Sequence, residues 1–222
     1  MTGDTDDLGA DLSGLRRSYG DQPLSETDLA GTWLAQFRAW FDDAMAAGLP
    51  EPNAMIVASA SASARPSART VLLKAFDHRG FVFYTNYTSR KGSELTENPQ
   101  ASLVFPWFAM KRQVVVAGTV QRVDPAETAA YFATRPRESQ LGAWASPQSQ
   151  PVPDRQALDE LYDAVSARFP ADQAIPPPPH WGGFRVRPDS VEFWQGRTGR
   201  LHDRLRFVTG SDGIWNVERL AP

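Results

Sequence analysis

The sequence predicts an α+β protein, mainly antiparallel β, built as a β-barrel with peripheral helices. Eight or nine short runs alternate apolar and polar residues, as half-buried strands do. Most are joined by hairpin-sized links carrying Gly, Asp or Pro. Three or four segments with helical apolar spacing sit around these runs, at the periphery of a sheet rather than inside it.

Taken in order, residues 1–14 (Asp4, Asp6, Asp7 and Asp11 among Gly, Ser and Thr) are expected to form a disordered acidic tail, and 15–222 a single domain. Leu15-Arg16-Arg17-Ser18-Tyr19 reads on pattern as an exposed basic connector. Over 27–47, Leu34, Phe37, Phe41, Ala44 and Met45, flanked by Trp33 and Trp40, predict a core-facing helix stopped by Gly48 and Pro50. Strands follow at 54–58 and 68–76, then a hairpin loop Asp77-His78-Arg79-Gly80, then a strand over 81–86. Ser89 caps a short helix running to Asn98-Pro99. Residues 101–107 and 112–123 form an antiparallel pair in which Gly118 marks a bulge or a close approach. Asp124-Pro125-Ala126-Glu127 starts a helix that ends at Arg135-Pro136. Another helix spans 154–169, and a Pro-rich connector leads to strands at 182–187, 190–195, 204–208 and 214–218.

Composition narrows the function. A net charge of -3 offers no global positive field, so neither nucleic acid nor an anionic membrane is an expected partner. The absence of cysteine excludes disulfides, thiolate catalysis and zinc-thiolate sites. His78, His180 and His202 lack metal-ligand spacing, so no metal is expected. Without a long apolar run or a signal peptide, the expected location is the cytoplasm. Neither a Walker A loop nor GxGxxG occurs.

Three places carry chemistry. At Ser89-Arg90-Lys91-Gly92, free helix N–H groups, the positive end of the dipole and two cations meet, as a phosphate site requires. Without an anion, cations there would oppose the dipole. Tyr131 and Arg135 are spaced i, i+4, with Ser139 beyond the turn. They form either a second phosphate site or a helix end whose Arg complements the dipole. The stretch from Glu192 to Arg204 gathers Trp194, Arg197, Arg200, His202 and Asp203, which suits either a flat anionic ligand or an Asp-paired surface.

These segments resemble, in register from about Leu15 to Pro222, the pyridoxamine 5'-phosphate oxidase family. The resemblance is carried by Arg69-Thr70-Val71-Leu72-Leu73-Lys74, Phe83-Tyr84-Thr85-Asn86, Ser89-Arg90-Lys91-Gly92, Arg112-Gln113-Val114 and Tyr131-Phe132-Ala133-Thr134-Arg135-Pro136. Ser139-Gln140-Leu141-Gly142-Ala143-Trp144, Gln148-Ser149, Trp181-Gly182-Gly183, Arg200-Leu201-His202-Asp203-Arg204 and Arg219-Leu220-Ala221-Pro222 continue it. It implies a split barrel forming a homodimer with FMN at the subunit interface. FMN contacts are then expected at Arg69, Thr70, Val71, Leu72, Leu73, Lys74, Tyr84, Thr85, Arg90, Lys91, Gln113, Gln148, Ser149, Trp194 and Arg204. Substrate contacts are expected at Lys74, Tyr131, Arg135, Ser139, Arg200, Leu201 and His202, with Arg16 and Tyr19 folding over the substrate. Arg200 and His202 are the expected catalytic residues.

The implied reaction oxidises pyridoxamine or pyridoxine 5'-phosphate with dioxygen to pyridoxal 5'-phosphate and hydrogen peroxide, releasing ammonia from the amine. Two departures from the family pattern stand out: the turn over 59–67 lacks a glycine, and Gln148-Ser149 lies in a Pro-rich segment. A split-barrel reductase, a deazaflavin enzyme and a non-catalytic carrier are the alternatives. The first two are expected to lack the full Tyr131, Arg135, Ser139, Arg200 and His202 set.

Overall fold

The computed structural model describes residues 19, 20 and 22–222; Arg16 and the acidic tail over 1–14 lie outside the described residues. In chain order, α1 (Trp33–Ala46) is followed by β1 (Ala54–Ala60), β2 (Pro66–Leu72), β3 (Ala75–Asp77), β4 (Gly80–Asn86), α2 (Arg90–Glu97) and β5 (Gln100–Trp107). Then come β6 (Arg112–Arg122), α3 (Pro125–Ala133), α4 (Arg137–Ala145), α5 (Arg155–Arg168), β7 (Trp181–Gln195), β8 (Asp203–Thr209) and β9 (Trp215–Arg219).

All pairings among the described strands are antiparallel, in the order β2-β1-β5-β6-β7-β4-β3, with β8 and β9 branching from β7. The end strands β2 and β3 are separated only by Leu73 and Lys74. One run of chain therefore pairs with β1 on one side and β4 on the other, with Leu73 donating to Asn53 O and Lys74 to Val82 O. The sheet thus closes on itself.

It also splits. Residues 181–186 of β7 pair with β4, whereas 190–195 pair with β8, and β6 follows β7 through both halves. The two strands expected at 182–187 and 190–195 are therefore one continuous 15-residue strand. Gly118 lies at the register shift in β6, and a Cβ there would stand 2.0 Å from Arg187 O, so only glycine allows this approach.

Helix α1 packs over one face of the barrel. Thr32 caps it by accepting from Ala35 N, and Phe37 sits between Phe76, Phe81 and Phe105 with ring centroids 4.8–4.9 Å away. Buried aromatics of this kind pack with buried Val, Leu and Met side chains to form the barrel core. Met45, expected inside, is 58% exposed because it falls on the last turn of α1 and points away from the sheet. A second apolar cluster, Phe132, Leu141, Phe169, Ile175 and Trp181, is built by α3, α4 and the connector after α5 against the start of β7.

Other local readings change too. The hairpin before β4 has a two-residue loop, His78-Arg79, because Asp77 pairs with Gly80. In the turn between β1 and β2, Ala64 takes the left-handed conformation (φ 59) that a glycine would adopt more cheaply. Helix α4 was not predicted: Pro136 ends α3 and serves as the N-cap of the next helix.

Candidate functional site

The first turn of α2 carries two cations, Arg90 and Lys91, with buried partners. Ser89 accepts from Gly92 N and caps the helix, and a Cβ on Gly92 would meet Tyr87 O at 2.3 Å, so the turn seats tightly on the chain end of β4. Lys91 is 7% exposed, yet among the described residues its ammonium donates only to neutral oxygens, Thr85 Oγ1 at 3.1 Å and Gln148 Oε1 at 3.0 Å. Burial, with the Arg69 charge adding to it, brings its pKa down to about 8. A buried ammonium with no carboxylate is costly, and an anion is its natural complement.

Beside it, Glu94 accepts from Ser59 Oγ, Ser67 Oγ, Arg90 Nε and Arg69 Nη2. Burial opposes ionisation of Glu94, but hydrogen bonds from Ser59, Ser67 and Arg90 and the Arg69 charge outweigh it and hold the carboxyl down at about 2.

A second cluster lies where α3 and α4 meet the start of β7. Tyr84, Tyr131 and Trp181 are near-parallel, with Tyr84 4.0 Å from Tyr131 and 5.3 Å from Trp181. Burial raises the phenol pKa of both tyrosines, that of Tyr84 to about 12, so both are neutral donors at neutral pH. The Arg135 guanidinium lies 4.7 Å over the Trp181 ring, and its Nη1 is buried without a hydrogen-bond partner. Burial lowers the Arg135 pKa, yet a guanidinium stays charged at any working pH. Ser139 lies in the first turn of α4, whose N-cap, Pro136, directly follows Arg135. A half-buried guanidinium with one buried, unpaired nitrogen, neutral phenols, a hydroxyl and a helix N-terminus together favour a phosphate.

The third cluster surrounds the far end of β7. Trp194 is register-paired with Gln113 on β6 and Arg204 on β8, so the three residues share one sheet face. His202 lies 4.7 Å from the Trp194 ring, and its Nδ1 accepts from Arg197 N at 3.0 Å. That bond places the proton of a neutral imidazole on Nε2. Tyr19 stands edge-on to both rings, at 5.9 Å from Trp194 and 5.5 Å from His202, and Gly20 O accepts from Thr198 N and Oγ1. Tyr19 and Gly20 therefore lie against this cluster. Arg200 is exposed, has φ 65 in the turn Thr198–Arg200 and makes no hydrogen bond or ion pair among the described residues. A left-handed non-glycine at such a position is the kind of strain that accompanies function.

The remaining expected residues spread out. Strand alternation puts Arg69 and Val71 on the half-buried face of β2, and Thr70 on the exposed one. Leu72 is half-buried and Leu73 is in the core, while Lys74 is exposed where β2 turns into β3. Ser149 is exposed with φ 72, and Leu201 is 75% exposed. Arg204 is committed to a bidentate pair with Glu192 and to Ala221 O, so it ties the C-terminus to β7. Sequence reasoning missed Glu94, whose i+4 spacing from Arg90 was the available signal; it noted Arg197 but not its part, which is to pair with Asp203 and to fix His202 through its backbone N–H.

Within one chain these residues form two sets. Arg69, Thr85, Arg90, Lys91, Gln148, Tyr131, Arg135 and Ser139 gather around α2 and the start of β7. Tyr19, Gln113, Trp194, Arg200 and His202 gather at its end. Trp181 and Trp194 are separated by some 40 Å of extended strand at about 3.3 Å per residue. Among the described residues no group of His, Cys, Asp or Glu is arranged to hold a metal, and no helix is long and apolar enough to cross a membrane.

Residues 41–195 match the family model described as pyridoxamine 5'-phosphate oxidase, and residues 181–222 match one described as the pyridoxine 5'-phosphate oxidase C-terminal dimerisation region. The chain is 59% identical over 223 residues to a pyridoxine/pyridoxamine 5'-phosphate oxidase of Salinispora arenicola, covering 100% of this chain and 99% of the relative. It is 54% identical over 211 residues to the one of Acaryochloris marina, covering 95% of each. Among solved structures, PhzG from Burkholderia lata, in complex with tetrahydrophenazine-1-carboxylic acid, superposes with a TM-score of 0.85 at 30% identity, covering 92% of this chain and 100% of that one. An FMN-binding protein of Nostoc punctiforme shares the fold, with a TM-score of 0.67 at 18% identity over 88% of this chain and 100% of that one.

Proposed function

Since the chain belongs to the pyridoxamine 5'-phosphate oxidase family, we propose that it oxidises pyridoxamine and pyridoxine 5'-phosphates to pyridoxal 5'-phosphate, with FMN as cofactor and dioxygen as acceptor. The observation that carries this reading is a pair of cations with no carboxylate partner among the described residues, the buried Lys91 and the half-buried Arg135, whose Nη1 is buried and unpaired. Two phosphorylated ligands call for two such sites. Lys91, Arg90 and the α2 N-terminus suit the flavin phosphate; Arg135, Tyr131 and Ser139 suit that of the substrate. Trp194 beside Gln113 offers a flat apolar face with a hydrogen-bonding edge, as an isoalloxazine ring needs.

A homodimer completes the site. The set at the start of β7 and the set at its end are too far apart to hold one substrate. A second copy brings one set against the other, and the matched dimerisation region carries Trp194, Arg200 and His202 of the second set. Under this arrangement Arg135, Tyr131 and Ser139 of one subunit anchor the substrate phosphate. Arg200 and His202 of the other subunit reach its ring, and Tyr19 closes over them.

When bound, FMN supplies the redox chemistry, taking two electrons from the substrate's 4' carbon and passing them to dioxygen. Arg200 orients the substrate and stabilises developing charge. His202, held through Nδ1 by Arg197 N, presents Nε2 as a hydrogen-bonding group. The Tyr84–Tyr131–Trp181 stack keeps Tyr131 in place, and the Arg135 guanidinium lies over its Trp181 ring with Nη1 buried. The alcohol substrate gives hydrogen peroxide as co-product; the amine also releases ammonia, with water supplying the aldehyde oxygen. The cysteine-free composition suits a reducing cytoplasm.

The test is a visible spectrum of the FMN-loaded protein, recorded anaerobically before and after adding pyridoxine 5'-phosphate. Bleaching of the flavin band, reversed by air as pyridoxal 5'-phosphate forms, is the expected result. A bound flavin that stays yellow overturns the reading.

A further inference from the structure

We propose that Glu94 is a positioning residue for the flavin phosphate: its buried carboxylate fixes the Arg90 guanidinium so that both terminal amino groups remain free for that phosphate. The inference rests on the reading above that the first turn of α2 receives the phosphate.

Glu94 is 6% exposed and anchored from two strands, by Ser59 Oγ at 2.6 Å and by Ser67 Oγ, residues that are themselves register partners. It accepts from Arg69 Nη2 at 3.4 Å and from Arg90 Nε at 2.9 Å. The two arginines are used differently. Arg69 is largely spent inside the network, with Nη1 on Val57 O and Ser59 Oγ and Nη2 on Ser67 Oγ and Glu94. Among the described residues Arg90 gives up only its Nε, and its side chain is 61% exposed, so its two Nη groups are left open by them at the helix N-terminus beside Lys91.

Helix stability does not account for the arrangement. Arg preceding Glu by four residues is the poorer order along a helix, and cations in the first turn oppose the dipole. Burying the carboxylate adds a desolvation cost. These costs are offset once an anion occupies the turn. Serine hydroxyls and guanidinium groups keep the carboxyl ionised far below neutrality, so the tether persists across the working pH range.

The proposal makes a prediction of unusual sign. A negative charge beside an anion site repels the ligand, so by charge alone Glu94→Gln would tighten FMN binding. If Glu94 works by holding Arg90, the same change weakens it. The measurement is the affinity of the flavin-depleted full-length protein for FMN and for riboflavin, which lacks the phosphate, by flavin fluorescence titration. Glu94→Gln is expected to lower the preference for FMN about tenfold, as the loss of a hydrogen bond to a charged group implies, with riboflavin affinity changed less than about twofold. Glu94→Asp keeps the charge but shortens the reach, and is expected to lose preference as well.

A preference that is unchanged or increased in Glu94→Gln, while Lys91→Met abolishes it, overturns the positioning role and leaves the phosphate site standing. An undiminished preference in Lys91→Met removes the phosphate from α2 and both ideas with it. Should Glu94→Gln fail to fold, Glu94→Asp decides: parental preference refutes the proposal, and reduced preference supports it.

Discussion

With the flavin phosphate seated at Lys91 as proposed, the buried amine makes flavin binding dependent on pH in a calculable way. Its ammonium is held among neutral oxygens, and burial sets its pKa at about 8 in the flavin-free protein. A bound phosphate favours the charged form and pulls that pKa back up. At pH 7 about nine-tenths of the free protein carries the ammonium, and at pH 9 about one-tenth does, so FMN affinity should fall about tenfold over that interval, or about 1.4 kcal/mol. Riboflavin affinity should stay level. The same depressed pKa means the folded, flavin-free protein binds fewer protons than the unfolded chain between about pH 8 and the usual lysine range. It therefore gains stability as pH rises through that window and loses it as pH falls. Lys91→Met should weaken FMN binding by about 1.5–3 kcal/mol at pH 7 and flatten the profile. Fluorescence titrations at several pH values provide the assay. A flat profile in the parent, or the same slope in Lys91→Met, would refute the reasoning.

Three further outcomes follow from the geometry. Arg135→Leu removes a guanidinium stacked on Trp181 and should raise KM for the phosphorylated substrate by about tenfold or more with FMN still bound; an unchanged KM would remove Arg135 from the phosphate site. Arg200→Leu should lower kcat by about a hundredfold while the flavin remains bound, and equal turnover in variant and parent would end its assigned role. Gly118→Ala places a Cβ 2.0 Å from Arg187 O, a backbone atom that can move only with the strand. Overpacking of this kind costs about 1–3 kcal/mol, so the melting temperature should drop by roughly 3–10 °C, and a melt within a degree of the parent would show that the bulge relaxes freely.

Much of this was legible because its cause is local. The Ser89 cap and the two cations in the turn it opens are written in four consecutive residues, and Gly118 in a Val-rich run marks a bulge. The i, i+4 spacing of Tyr131 and Arg135 placed both beside Trp181. What escaped is set by contacts distant in sequence. Helix α4 has only Gln140 and Leu141 buried, and it is held by Gln140 donating to Phe132 O and by Arg137 clamping the Phe169, Pro170 and Gln173 carbonyls. Closure of the barrel through Leu73 and Lys74 depends on which strands become neighbours. The Glu192 partner of Arg204 became visible only with the register of β7 and β8. Likewise, Glu94 reads as an ordinary surface acid until β1 and β2 bring two serines to it.

The most direct test of a site assembled from two subunits is complementation between Arg135→Leu and Arg200→Leu, each expected to be nearly inactive alone. Each mixed dimer would pair one doubly altered site with one fully intact site. Random mixing makes half the dimers mixed, so co-expressed variants should recover about a quarter of the parental rate of pyridoxal 5'-phosphate and hydrogen peroxide formation. Activity no higher than that of either variant alone would contradict the shared site and place both residues around a substrate held within one chain.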